Sequence, residues 1–503
     1  MEGDEKLRKP DEKGGAALTR RALLQGAGCV AAAAAFPSHG ALAGSRTDVP
    51  SAGHVMAALS GYMSEARSRS LPGEVVEKAK HHIIDTFAAM VSGSELAPGR
   101  AGIQFAQAYG GEKIAAVVCS SVVCGPIEAA LANGMLAHSD ETDDSHAPSQ
   151  SHPGCSIVPS ALAVGEKFGI DGTRFLRSVV LGYDIGPRVT MTLGGGEFQT
   201  ETHRSTHSIA GTFGSAAAAG CASGLNAQQM RWLLDYAAQE SSGVAAWQRD
   251  TNHVEKSFVF AGGPASKGVT AALLVQSGWT GINDIFSGED NFLLANAPKA
   301  DPMGLVDKLG ERYEVARTNI KKWTVGSPIQ APLDALENLL KRHPFQPDQV
   351  KQVTVRVATR EAAVVDNRDM PDICLQHMIA VMLIDKTVSF RSAHDKARMM
   401  DPAILRQRAK VRLVLDEGLE RLLPRREATV EVALTDGTQL SDHVNDVRGT
   451  AENPMTREEV VAKARDLMSP LLGATACANL IDRLLAIENV KDIRELRPLL
   501  QRA

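Results

Sequence analysis

VVEKAKHHIIDTFAAMV, residues 75–91, carries apolar side chains at 75, 76, 79, 83, 84, 87 and 90. That i, i+3, i+4 spacing marks one buried face of an α-helix. Pro72 and Gly73 stand where such a helix would begin. The same reading extends outward from about residue 50 to residue 300. Residues 126–137, PIEAALANGMLA, open with a proline suited to a first helical turn. The stretches 158–168, 174–186 and 209–222 are rich in Ala, Gly and Val. Helices with small contact faces approach closely, so a compact bundle of many helices is expected.

The pattern changes near residue 350. VKQVTVRVAT (350–359) alternates valine with polar residues, and EATVEVALTDGTQLSDHV (427–444) does so around an Asp-Gly turn at 436–437. Alternation broken by Asp-Gly is a hairpin signal. With helices expected at 331–342 and 374–385, residues 311–449 read as a smaller α+β domain. Helices at 456–468 and 476–486 then return to the first domain. The expected fold is mainly α: a large all-helical bundle domain, in parts 50–310 and 450–503, with an inserted α+β lid. No repeat of 20–50 residues is visible, which excludes a solenoid.

Composition limits the function. Lys plus Arg number 54 against 59 Asp plus Glu, a net charge of −5, too balanced for a nucleic-acid-binding protein. Aromatics at 4% leave few stacking platforms. The cysteines at 119, 124, 155, 221, 374 and 477 lack the paired spacings of zinc or iron–sulfur motifs. Free buried thiols are expected, although Cys119 and Cys124 could bridge in an oxidising compartment. No GxGxxG opens a βαβ unit and no GxSxG elbow appears.

Residues 19–25 read TRRALLQ, and a weakly apolar run from Ala22 to Phe36 ends near Ala41-Leu42-Ala43. This matches a twin-arginine export signal over residues 1–43 with a small-x-small cleavage site. The apolar run is too short for a span, and no later stretch reads as one. A soluble periplasmic or secreted mature protein is expected, cytoplasmic if the signal does not function.

The densest chemistry is HSDETDDSHAPSQSHPG, residues 138–154, between two helices. A solvated acidic loop is one reading. Calcium is disfavoured because no EF-hand spacing is present. Zinc is disfavoured because His138, His146 and His152 share no helical turn. Histidines and carboxylates interleaved on a loop suit proton transfer, the preferred reading. A second cluster is HRSTHSIAGTFG (203–214), at the start of a small-residue helix. DTNHVEKSFVFAGGPASKG (250–268) offers Lys256 without Walker spacing, and IKKWTVGSP (320–328) offers Lys321.

Taken in order, these motifs resemble the MmgE/PrpD family. HSDETDDS…SHPG…VPSALAVGE, GYDIGPRV (182–189), GTFGSAAAA (211–219), EKSFVFAGGPASKG and VRGTAENPMTREEV (447–460) carry the resemblance, from about residue 52 to 490. The family includes 2-methylcitrate dehydratase, cis-aconitate decarboxylase and iminodisuccinate epimerase. The resemblance implies a homodimer with no metal or other cofactor, acting on a small di- or tricarboxylate. It implies an acid–histidine loop at Asp140 or Glu141, Asp144, Ser145 and His152, a second histidine at His203 or His207, and carboxylate-binding Lys256 and Lys321. Two departures weigh against aconitate decarboxylation: Gly326-Ser327 where those members have a histidine, and His377 where they have a tyrosine.

The expected reaction is that of a lyase, dehydrating a 2-methylcitrate-like hydroxy polycarboxylate by proton transfer alpha to a carboxylate. His152, oriented by Asp144 or Asp140, would be the base and His207 or His203 the acid. Ser145 and His377 would join the lysines around the substrate. An epimerase or isomerase of an iminodisuccinate-like dicarboxylate is the same-family alternative. A binding protein on the same scaffold is the alternative of another class.

Overall fold

The computed structural model describes residues 53–502; the segment 1–43, with its twin-arginine motif, lies outside them. The stretch that decided the reading lies within the helix Gly73–Gly93, buried along most of its length. Around it pack the helices Pro126–Ala137, Gly154–Phe168, Gly172–Leu193 and Thr206–Ser223. The last, THSIAGTFGSAAAAGCAS, is buried from Thr206 to Ala222, because its small side chains let neighbouring backbones close in on every face. The helices Arg457–Leu472 and Ala474–Leu485 return to this body. Lys463 fixes the first of them through a 2.6 Å ion pair with buried Asp85.

Strands are few. A short ribbon joins β1 (Ala115–Ala116) to β2 (Val123–Cys124). A mixed sheet follows in the order β4-β3-β5-β6, from β3 (Val350–Ala358), β4 (Val411–Asp416), β5 (Ala428–Leu434) and β6 (Gln439–Val444). β3 and β5 are antiparallel, as are β5 and β6 across the Asp436-Gly437 turn, while β3 and β4 run parallel. A parallel pair needs a crossover, and the helices Leu375–Asp385 and Pro402–Arg408 lie within it. The helix Ser327–Arg342 covers β5 and β6.

Two apolar cores result among the described residues. One holds residues from Met56 to Ile320 and again from Met455 to Leu500; the other runs from Trp323 to Val447. The helical body and the α/β unit each enclose their own.

Two expectations need adjustment. The strand Val411–Asp416 was not foreseen, because VRLVLD lies on a sheet edge and lacks the alternation that marks β5. The continuous helical run Val254–Gln276 is long and apolar enough to cross a membrane, against the reading that no such stretch exists. Here it is a core helix, mostly buried. Cys119 and Cys124 are both free and buried, the state expected of them.

Candidate active site

The loop 138–154 is charged yet buried from His138 through Asp144. Burying carboxylates is costly unless each is paired, and each of these is. Asp144 accepts hydrogen bonds from Tyr183 Oη at 2.5 Å and Gly154 N at 3.0 Å, and lies 2.8 Å from His82 Nδ1. His82 comes from the helix read first in the sequence. Asp140 accepts from Thr142 N and Oγ1 and forms a 2.8 Å ion pair with His394 of the α/β unit. Glu141 takes Lys256 Nζ on one oxygen and Lys321 Nζ at 3.4 Å on the other. Asp143 is shared: His138 Nδ1 lies 3.0 Å from it and His152 Nδ1 3.2 Å.

Local geometry follows from particular residues. A Cβ on Gly154 would come within 2.6 Å of Thr86 Oγ1 and Tyr183 Oη, so the His-Pro-Gly sequence leaves room for Asp144 to anchor the helix start. Ser145 and Asn319 exchange backbone hydrogen bonds of 3.0 and 2.8 Å. Beyond Asn319, Ile320 N donates to Gly449 O at 3.0 Å. Gly449 has φ +101°, and a Cβ there would lie 1.8 Å from Ile320 O. These contacts fix the strand-like segment that aims Lys321 inward. Lys256 sits just before a π-helical turn, Phe258–Gly262, a geometry frequent at functional sites. Its ammonium also faces the rings of Phe260 and Trp247.

Phe260 is stacked on His207 with ring centroids 3.7 Å apart and on His138 at 4.6 Å. His152 lies 5.4 Å from His207 and 5.0 Å from His138, centroid to centroid. His152, His207 and Lys321 open onto a cavity of about 340 Å³. Its far wall is the α/β unit's Arg425, Arg426 and Arg448, and Ser145 and Ser327 also line it. An adjoining cavity of about 650 Å³ reaches Lys256 and shares Gln150, Pro424 and Arg426 with the first.

Burial, joined by Lys321 and His138 and only partly opposed by Asp143, pushes the His152 imidazole down to about 4. His207 is held well below its ordinary value by burial and by His152 and Lys256. Both rings are uncharged at neutral pH. Burial opposes ionisation of Asp143 and Glu141, but the His138 and His152 rings with Lys321 beside Asp143, and Lys256 and Lys321 beside Glu141, prevail and hold both well below the usual carboxylate range. Burial also opposes charging of His394, yet Asp140 and Asp372 push it up to about 9.

The structure corrects several assignments. His152 is oriented by Asp143, not by Asp144 or Asp140, which face His82 and His394. His203 caps the end of the helix Gly195–Thr202 with φ +58° and is exposed, whereas His207 enters the buried helix and reaches the cavity. His377 is fully buried in the second core and lines neither of these cavities. Glu141, Asp143, His253 and His394 gain weight. Asp143 and Glu141 were visible in the loop and His253 lay within the quoted stretch 250–268; His394 is isolated in sequence and gave no signal.

Groups able to hold a metal do occur: ligand atoms of His138, Glu141 and His253 lie within 4.8 Å of one another, as do those of His138, Asp143 and Cys155. An added cation at the first trio would compete with Lys256 and Lys321 for Glu141. His146, weighed with His138 and His152 as a zinc ligand, instead faces Ser149 and Glu314.

The family models decide the relationship. The MmgE/PrpD N-terminal domain matches residues 57–303 and the MmgE/PrpD C-terminal domain residues 323–487. The chain belongs to the MmgE/PrpD family. Among curated relatives of this MmgE/PrpD chain, "Cis-aconitate decarboxylase-like protein oryM" of Aspergillus oryzae is 24% identical, covering 90% of this chain and 98% of its own. "Cis-aconitate decarboxylase" of Aspergillus terreus is 22% identical over 87% and 94%. The Homo sapiens protein of that name is 24% identical over 86% and 91%.

Proposed function

We propose that this chain is a lyase that dehydrates a hydroxylated di- or tricarboxylate, with His152 removing the proton alpha to a carboxylate. The observation that carries the reading is an uncharged imidazole, tethered at Nδ1 to an ionised carboxylate, opening onto a cavity flanked by cations. An ionised carboxylate only accepts hydrogen bonds, so His152 Nδ1 bears the hydrogen and Nε2 is the free base. The alpha proton passes to Nε2, the C–H electrons form the alkene, and the C–O bond breaks. The imidazolium then protonates the departing hydroxide, so water leaves and His152 returns uncharged.

Lys321 and Lys256 supply the charge that a dianionic transition state requires. Glu141 engages both ammoniums, and a substrate carboxylate competes with it. Burial holds His207 well below its ordinary value, so the proton returns through His152 and His207 is left as a ring lining the cavity. Decarboxylation is the second reading, favoured by the relatives' names. One of the two departures still weighs against it, since Ser327 lines the cavity, whereas His377 stands away from it and bears on neither reading.

A panel of hydroxy polycarboxylates and cis-aconitate tests the proposal. Alkene absorbance rising without CO2 release supports dehydration, and CO2 release from cis-aconitate supports the second reading. Solvent deuterium exchange without net product would instead mark an epimerase.

A further inference from the structure

His138 lies beneath the cavity and lines neither part of it. It is fully buried, its ring stacked on Phe260, with Nδ1 on Asp143 and Nε2 without a hydrogen-bond partner among the described residues. Asp143 is ionised and only accepts, so both rings that touch it, His138 and His152, present Nδ1–H. One carboxylate therefore serves two imidazoles. Each hydrogen bond it accepts withdraws part of its charge from the other.

We propose that His138 is a positioning residue: by sharing Asp143 with His152, it weakens the carboxylate's hold on that imidazole and so sets the pH at which His152 becomes a free base. The inference rests on His152 being the base, as proposed above. The groups facing His152 are Asp143 and His138 from its own loop, His207 from the helix Thr206–Ser223, and Lys321 from the segment after Asn319. Those around His138 are Asp143, Glu141, His152, Cys155 and His253, with Lys256 next beyond. Within this set, Asp143 is the carboxylate in contact with both rings. Removing the His138 N–H concentrates it on His152 and favours the imidazolium.

The test is the pH dependence of kcat/KM in the full chain for wild type, His138→Leu and His138→Asn, with His152→Ala alongside. Leucine removes the N–H, and the acid limb moves upward by roughly one pH unit, the scale on which a neighbouring carboxylate acts. Asparagine places an amide N–H near the position of Nδ1–H, and the limb returns toward that of wild type. A structural role alone would lower folded protein or plateau activity and leave the limb in place. An unmoved limb in folded His138→Leu overturns the inference, as does an equal shift in both variants. If folded His152→Ala keeps its turnover, the underlying assignment of the base fails instead. Should the leucine variant not fold, ring 15N shifts of the wild-type chain decide. Nδ1–H on both His138 and His152 supports the inference, and an Nε2–H tautomer at His138 overturns it.

Discussion

The two walls of the cavity are built on opposite principles. The floor, from the helical body, is dry and histidine-rich: His138, Asp143 and His207 are buried, Asp143 holds the Nδ1 atoms of His138 and His152, and Phe260 stacks on the His138 and His207 rings. The facing wall, from the α/β unit, is cationic and wetter, with Arg425 52% and Arg426 27% exposed. A buried imidazole has its protonation set by neighbours it cannot leave, which suits proton transfer. A half-exposed arginine on a loop adapts to a ligand's shape and loses much of its strength to solvent. The floor should govern kcat and the wall KM.

Substitutions on the floor are the severest way to break that division. His152→Ala removes the proposed base, so kcat falls by about 10²–10⁴-fold, the usual worth of general base catalysis, with KM and thermal melting nearly unchanged. Asp143→Asn should approach the same loss, because the amide can donate where only acceptance fixes the Nδ1–H tautomer. A folded Asp143→Asn enzyme with near-wild-type kcat would return the orienting role to another carboxylate.

Lys256 lies where the two principles meet. Lys256→Ala should raise KM and also lower kcat, since the charge it balances grows in the transition state. Lys256→Arg should recover only part of the loss, because guanidinium does not reproduce the compact ammonium. Equal kcat in wild type and folded Lys256→Ala would move this residue to the recognition side.

The contact between the two units has its own pH signature. His394 is raised to about 9 in the folded chain, against about 6.5 unfolded. Its pairing with Asp140 thus adds stability fully present below about pH 6.5 and lost as pH rises through about 9. Thermal melting should fall by a few degrees over that interval in wild type and stay flatter in Asp140→Asn. Smallest is the wall: Arg426→Ala should raise KM about fivefold, on the order of 1 kcal/mol for a partly exposed ion pair, with kcat unchanged.

The legible parts of the molecule were those set by local pattern. Apolar spacing at 75–91 and the alternation at 428–434 are properties of single segments, and both became the elements they implied. The loop 138–154 stood out by its density of acids and histidines. Which acid serves which histidine was not local. Asp143 and Asp144 are adjacent, yet Asp144 turns to His82, 62 residues away, and leaves Asp143 to His152. The choice between His203 and His207 was likewise hidden, since a helix end with positive φ intervenes and carries only the second ring inward. His394 belongs to a different unit, and tertiary packing alone brings it to Asp140.

The central claim is that His152 takes the alpha proton. The direct measurement is substrate hydrogen exchange with deuterated solvent, followed by NMR in wild type and in folded His152→Ala. The account predicts exchange at the carbon alpha to a carboxylate in wild type and its loss, along with turnover, in the variant. Exchange persisting at the wild-type rate in folded His152→Ala would contradict it.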